Sequence, residues 1–332
     1  MFSKAPRILG IALSALMVAS VPTRAADPVN LTIASFKSGS SWFVYSATIG
    51  EILRDALPAG STVDAPPLGG GHANVRLVSA GKADLALSHA MTNRWAAEGV
   101  VAYDAPISNI RGLMGGLDHY FLNVTAAGAK PGTGVAEYFT KVNPKAVIGL
   151  NPPGSVATFA GELLLKEAGA SKDALEATGG RYAYIPIPDT ISGFADGTIS
   201  ATPQMITIGH PMTTEISQTT DVAQLVPSSE LLETMSTKYG FSTDTLPAGS
   251  FRGQDEAITL PASNTTLIAS ADMSDDLAYT IVKALVENVE RLRAGHGALA
   301  KFDPAQAWKP ELVNLPLHPG AIRYYRERGW MK

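Results

Sequence analysis

The stretch Leu31–Leu53 constrains this chain more than any other. It begins as a β-rich run, Leu31 to Ile33, passes through a Ser/Gly loop, Ser38 to Ser41, and then sets Tyr45, Ile49, Ile52 and Leu53 at helical spacing. That is strand, polar loop, helix. A loop of this composition leaves backbone N–H groups free at the helix start, where the macrodipole favours an anion by roughly 0.3–1 kcal/mol. The layout returns at Val147–Gly169, with Ser155 as the N-cap and Gly169 as the stop. One such unit is what any capped helix makes. Two of them, on separate α/β halves, predict a jaw that closes on a small polar ligand.

The ends and the composition narrow the setting. Lys4 and Arg7 precede an apolar segment, Ile8 to Val21, too short to span a bilayer, and Thr23-Arg-Ala25 follows as a small-residue cleavage pattern. Residues 1–25 therefore read as a secretory signal cut after Ala25 or Ala26, and the mature chain as an exported, periplasmic protein. The 45% hydrophobic and 17% charged content describes a packed globular protein with room for two cores. A net charge of -4 gives no electrostatic reason for nucleic acid as a partner. With no cysteine there is no disulfide framework, no thiol nucleophile and no lipid-anchored cysteine.

Along the chain, Gly69-Gly-Gly71 opens a short helix, Ala73 to Ser79, and reads as a tight turn that brings the backbone and Asn74 to a ligand. A dinucleotide fingerprint fails at Asn74, and a P-loop lacks its first glycine. The next strand ends in Ser88 and His89, where ligands of open α/β sheets gather. Tyr120–Val124 reads as a strand leaving the first half, and 126–134 as the link. This sets lobe I at 26–123 and 266–332, and lobe II at 124–265. Asp196-Gly-Thr-Ile-Ser-Ala201 echoes Ala80-Gly-Lys-Ala-Asp-Leu85, a weak internal repeat in the correct order. Strand 205–208 runs into Gly209, His210 and Pro211, again at a carboxyl edge. Asp272–Arg293 reads as one amphipathic helix bracing the first lobe.

Catalytic signatures are missing. There is no G-x-S-x-G elbow and no H-E-x-x-H, and the six histidines lack metal-ligand spacing. The expectation is a binding protein with no catalytic residue, metal or cofactor.

Several stretches together resemble the TRAP-associated extracytoplasmic immunogenic (TAXI) solute-binding proteins, receptors of tripartite ATP-independent periplasmic transporters. They are Gly39-Ser-Ser-Trp-Phe-Val-Tyr45, Gly69 through Asn74, Gly81–Leu87, Pro152-Pro-Gly-Ser155, Pro247-Ala-Gly249 with Gly253–Glu256, and Leu317–Tyr325. The resemblance implies an α/β, two-lobed periplasmic binding protein fold of type II, with two crossover strands and a central ligand cleft. It also implies a monomer that delivers a small carboxylate, an amino acid or a dicarboxylate or 2-oxoacid, to an ion-gradient-driven TRAP permease. Matching positions point to Ser41, Tyr45, Asn74 and Ser155 as ligand contacts, with Trp42 or Tyr45 covering the apolar part. The edge-of-strand argument adds Ser88, His89, Thr158, His210 and Pro211. Two departures sit in the expected pocket: Phe36, Lys37 and Trp42 where the family is richer in glycine, and Val156-Ala157 where it continues Gly-Thr. An exported sensor or adhesin, or an enzyme on the same fold, are the rival readings.

Overall fold

Alternation of short β-branched runs with capped helices produces two mixed sheets. The computed structural model describes Met1, 27–38 and 40–332; the leader expected at 1–25, Met1 apart, and the motif residue Gly39 thus lie outside the described residues. The strands are β1 (Asn30–Ala34), β2 (Thr62–Asp64), β3 (Leu85–His89), β4 (Ile110–Met114), β5 (Tyr120–Ala127), β6 (Val147–Leu150), β7 (Arg181–Tyr184), β8 (Ala201–Ile206), β9 (Val222–Gln224), β10 (Ser242–Leu246), β11 (Ile258–Ser263) and β12 (Thr265–Ser270). The first sheet has the order β2-β1-β3-β12-β4 and the second β10-β11-β5-β8-β6-β7, with β9 paired to β5.

The two sheets share one plan. In the first, β1 runs parallel to β2 and β3, and β12 enters antiparallel between β3 and β4. In the second, β6 runs parallel to β7 and β8, and β5 lies antiparallel against β8. Each sheet thus takes in one strand delivered from the other half of the chain. The passages are short: residues 115–119 lead from β4 to β5, and Asn264 alone leads from β11 back to β12. The change of sheet therefore falls at 115–119, ahead of the boundary expected at residue 123, and all of β5 belongs to the second sheet.

Helices α1 (Ser41–Ala56), α2 (Ala73–Ser79) and α3 (Ala90–Glu98) belong to the first half. Helices α4 (Val156–Glu167), α5 (Pro211–Thr219) and α6 (Ser229–Tyr239) belong to the second, and α7 (Asp275–Glu287) returns to the first. Ser40 caps α1 by accepting the Phe43 N–H at 3.2 Å, and the apolar face of that helix, Tyr45, Ile49, Ile52 and Leu53, is buried in the first lobe's core with Ile281 and Leu285 of α7. The amphipathic helix expected to run to Arg293 stops at Glu287. Asn288 turns its side-chain amide back to the Ala284 carbonyl at 2.9 Å, with φ -109° and ψ 31°, and a second helix, Val289–Gly295, starts after it.

Away from the cleft, α3 packs on α6. Trp95 donates its indole N–H to the Tyr239 carbonyl at 2.9 Å, and Arg94 donates to the Thr237 carbonyl at 2.7 Å. This is a two-lobed α/β fold with two crossings between the lobes. No helix among the described residues is long and apolar enough to cross a membrane.

Candidate ligand-binding site

The carboxyl ends of β1, β3 and β6 direct three loops toward the gap between the sheets. Two of these loops open the long helices α1 and α4. A cavity of about 310 Å³ lies there, walled from the first lobe by Phe36, Ser41, Trp42, Gly70, Gly71 and His89. Gly154, Ser155, Val156, Ala157 and Met205 wall it from the second, and Tyr120 from the start of β5.

The helix starts bring donors. In α4 the N–H groups of Val156, Ala157 and Thr158 have no carbonyl of their own helix to reach, and the Ser155 side chain makes no capping bond, so its hydroxyl is free toward the cavity. In α1 the Ser40 hydroxyl is spent on capping, donating to the Lys37 carbonyl at 2.8 Å. Positive helix ends from both lobes therefore face one space. No Lys, Arg, Asp or Glu lines the cavity among the described residues. Lys37 is exposed and sits 5.6 Å from the centroid of the Phe36 ring.

His89 is the polar group set deepest in the wall, 8% exposed, with Nδ1 lacking any hydrogen-bond partner. Its ring lies between Trp42, 4.7 Å between centroids, and Tyr120, 5.0 Å and edge-on. Burial pushes its pKa down to about 3, so the imidazole is neutral at ordinary pH.

Behind this wall is a polar hub that ties the two crossings together. Asp118, in the outgoing passage, accepts the Thr265 N–H at 2.8 Å and the Tyr45 hydroxyl at 3.0 Å. Leu117 N–H donates to the Thr265 carbonyl at 3.1 Å, and Gly116 N–H to Asn264 Oδ1 at 2.6 Å. Trp42, which lines the cavity with its ring, donates its indole N–H to Thr265 Oγ1 at 2.9 Å. Burial raises the pKa of Asp118, partly offset by the bonds from Thr265 and Tyr45. Burial, and then the Asp118 carboxylate, hold the Tyr120 phenol protonated.

The expected contacts therefore divide. Ser41, Trp42, His89 and Ser155 meet at the cavity. Tyr45 is fully buried one layer behind, on Asp118. Asn74 is also fully buried and its amide is consumed by backbone: it accepts from Gly70 N–H at 2.5 Å and donates to the Ser35 and Leu87 carbonyls at 2.7 Å each. Ser88 bonds Thr92 at 2.9 Å, and Thr158 donates to the Asn151 carbonyl at 2.8 Å. His210 and Pro211 start α5 and do not line the cavity. Tyr120 and Met205 were not singled out from the sequence as contacts; Met205 lies near the carboxyl end of β8, the position that marked Ser88 and His89, whereas Tyr120 lies at the start of the antiparallel β5.

The glycine turn brings the lobes together. Gly70 has φ +116°, and a β-carbon there would overlap the Phe36 ring; His72, next in the turn, packs edge-on against Phe159 of α4 at 5.4 Å.

With this geometry in place, comparison adds the family. A family model described as the NMT1-like family matches residues 33–329, and the chain belongs to that family. Among solved structures, it is similar to the periplasmic binding protein BugD at 16% identity and TM-score 0.49, covering 91% of this chain and 95% of that one. It is similar to MatC from Rhodopseudomonas palustris with bound malate at 13% and 0.48, covering 91% and 97%. Likeness to the aliphatic sulphonate binding protein SsuA from Escherichia coli is 15% and 0.46, covering 90% and 79%.

Proposed function

We propose that this chain is an extracytoplasmic solute receptor that takes a small carboxylate-bearing molecule into the cavity between its lobes. The observation that carries the reading is the convergence of two helix starts, Ser41-Trp42 from one lobe and Ser155-Val156 from the other, on one cavity of about 310 Å³. A carboxylate held by free N–H groups and the Ser155 hydroxyl gains charge-assisted hydrogen bonds, about twice as strong as neutral ones. Binding both helix starts at once draws the lobes together, with 115–119 and Asn264 as the hinge. No covalent step is needed. The loaded form would then dock, as a monomer, on the membrane subunits of a TRAP-type permease, and the leader at 1–25 would put the mature chain in the periplasm.

Thermal unfolding of the mature protein against small carboxylates, amino acids and sugars tests this reading. A solute at 100 times its dissociation constant adds about 2.7 kcal/mol, enough to raise the midpoint by several degrees. A rise confined to carboxylates is expected. A rise with sugars alone would overturn the carboxylate assignment, and a chain purified free of bound solute that responds to no compound would overturn the receptor reading.

A further inference from the structure

The cavity's lining goes further than a generic carboxylate, provided the receptor reading of the same cavity holds. We infer that it selects a monoanion with an apolar, ring-sized body, and discriminates against both dicarboxylates and zwitterionic amino acids.

Two helix starts supply partial positive charge for one anionic group, and no lysine or arginine lines the cavity among the described residues to take a second. Lys37 is exposed, 5.6 Å from the centroid of the Phe36 ring, and is not among the residues that line the cavity. A second carboxylate would therefore be buried without a partner.

An ammonium group fares no better. No aspartate or glutamate lines the wall, and the carboxylate behind it, Asp118, is engaged by the Tyr45 hydroxyl and the Thr265 N–H. The polar side chain set deepest in the wall is His89, whose Nδ1 has no partner and whose ring is wedged between Trp42 and Tyr120. An imidazole so enclosed offers a hydrogen bond but no charge.

Apart from Ser40, Ser41 and Ser155, the rest of the wall is largely apolar. Phe36, Trp42, Tyr120, Val156 and Met205 surround a space that holds about ten waters at ~30 Å³ each, the size of a small ring with a short acid arm. His89 Nδ1 is buried without a partner beside these rings, and a solute hydroxyl or keto group reaching it would supply one, which favours a body that carries such a group.

The test is a set of acids that share one ring, with binding followed by calorimetry on mature protein that has been unfolded and refolded to strip bound solute. The probes are phenylacetate, 4-hydroxyphenylacetate, phenylalanine and phenylsuccinate, with malate and glutamate as small multiply charged references. Phenylacetate or its hydroxylated form is expected to bind at least tenfold more tightly than phenylalanine, phenylsuccinate, malate and glutamate. If malate, glutamate or phenylsuccinate binds as tightly as the ring monoacids, the inference fails while the receptor reading stands. If sugars bind and no acid does, both fail. In the expected case, His89→Phe should erase the preference for 4-hydroxyphenylacetate over phenylacetate, read as the ratio of the two affinities measured in that variant. An undiminished hydroxyl preference in that variant would remove His89 from the proposal.

Discussion

Gly71 of the first lobe and Val156 of the second meet across the cleft: a β-carbon on Gly71 would stand 2.5 Å from Val156 Cγ2. The approach is closer than any side chain permits, so the turn can touch the start of α4 only while residue 71 is glycine. Gly71→Ala therefore blocks this contact, and it also strains a φ of +53°. Gly81→Ala is the matched control, since Gly81 has φ +64° and open space around it. Both variants should lose about 1 kcal/mol of stability from the left-handed backbone. Gly71→Ala alone should weaken solute binding, by about tenfold, because a smaller share of molecules reaches the lobe-to-lobe contact. Calorimetry on the two proteins checks it; equal affinities would dissociate the turn from closure.

Tyr45→Phe tests the hub behind the wall. The substitution keeps the ring and removes one of the donors to a fully buried carboxylate, so Asp118 is left with less compensation for its burial. The expected loss is about 1–3 kcal/mol in urea unfolding, and the Asp118 pKa should move further upward. Because Tyr45 stands behind the cavity wall, solute affinity should change less than stability. The opposite pattern, with full stability and lost affinity, would make Tyr45 a direct contact.

The buried His89 gives stability a pH dependence of known sign. Burial lowers its folded pKa from an ordinary 6.5 to about 3. Between those values the unfolded chain binds a proton that the folded chain refuses, so stability falls as pH drops below 6.5 and the fall levels off near 3. His72, His210 and His318 are also pushed down by burial and act in the same direction. Asp118 acts against them, because its raised pKa lets the folded chain take up a proton early. Comparing the native protein with His89→Asn isolates one group. From pH 7 to pH 5 the native protein should lose about 2 kcal/mol more than the variant. Equal losses would mean that His89 titrates in the fold as it does in the unfolded chain.

The repeated strand, loop and helix at 31–53 and 147–169 were legible because their signals are local: caps, helical spacing and stops. So was the echo between residues 80–85 and 196–201, which lead into β3 and β8, the strands beside the inserted partner in each sheet. Tyr120–Val124 was legible as the strand leaving the first half, but the antiparallel pairing of β5 and β12 inside the sheets was not, because a partner strand from far along the chain leaves no periodic mark. The same limit explains the divided site. Ser41 and Tyr45 lie one helical turn apart on one face, and the carboxylate that claims Tyr45 lies 73 residues on. Met205 lines the cavity and His210, five residues later, does not, a difference set by where β8 ends and α5 turns away.

Asn74 is the residue for which the sequence expectation and the structure suggest different experiments. As a ligand contact it would cost affinity alone when lost. In the fold its amide joins the glycine turn at Gly70 to the ends of β1 and β3, through the Ser35 and Leu87 carbonyls, with no exposed surface. Asn74→Ala removes the partners of an N–H and two carbonyls in or beside the core, so the expected destabilisation is about 2–4 kcal/mol at roughly 1–3 for a buried group left unpaired. The turn bearing Gly70 and Gly71 should loosen with it, and amide hydrogen exchange should accelerate in residues 68–74 and at the end of β3. Affinity then falls because the cavity wall is no longer held. Asn74→Asp separates the two roles: it keeps an acceptor for Gly70 N–H and loses both donors. It should therefore be about as unstable as the alanine variant. An Asn74→Asp protein of native stability with lost solute binding would return Asn74 to the ligand.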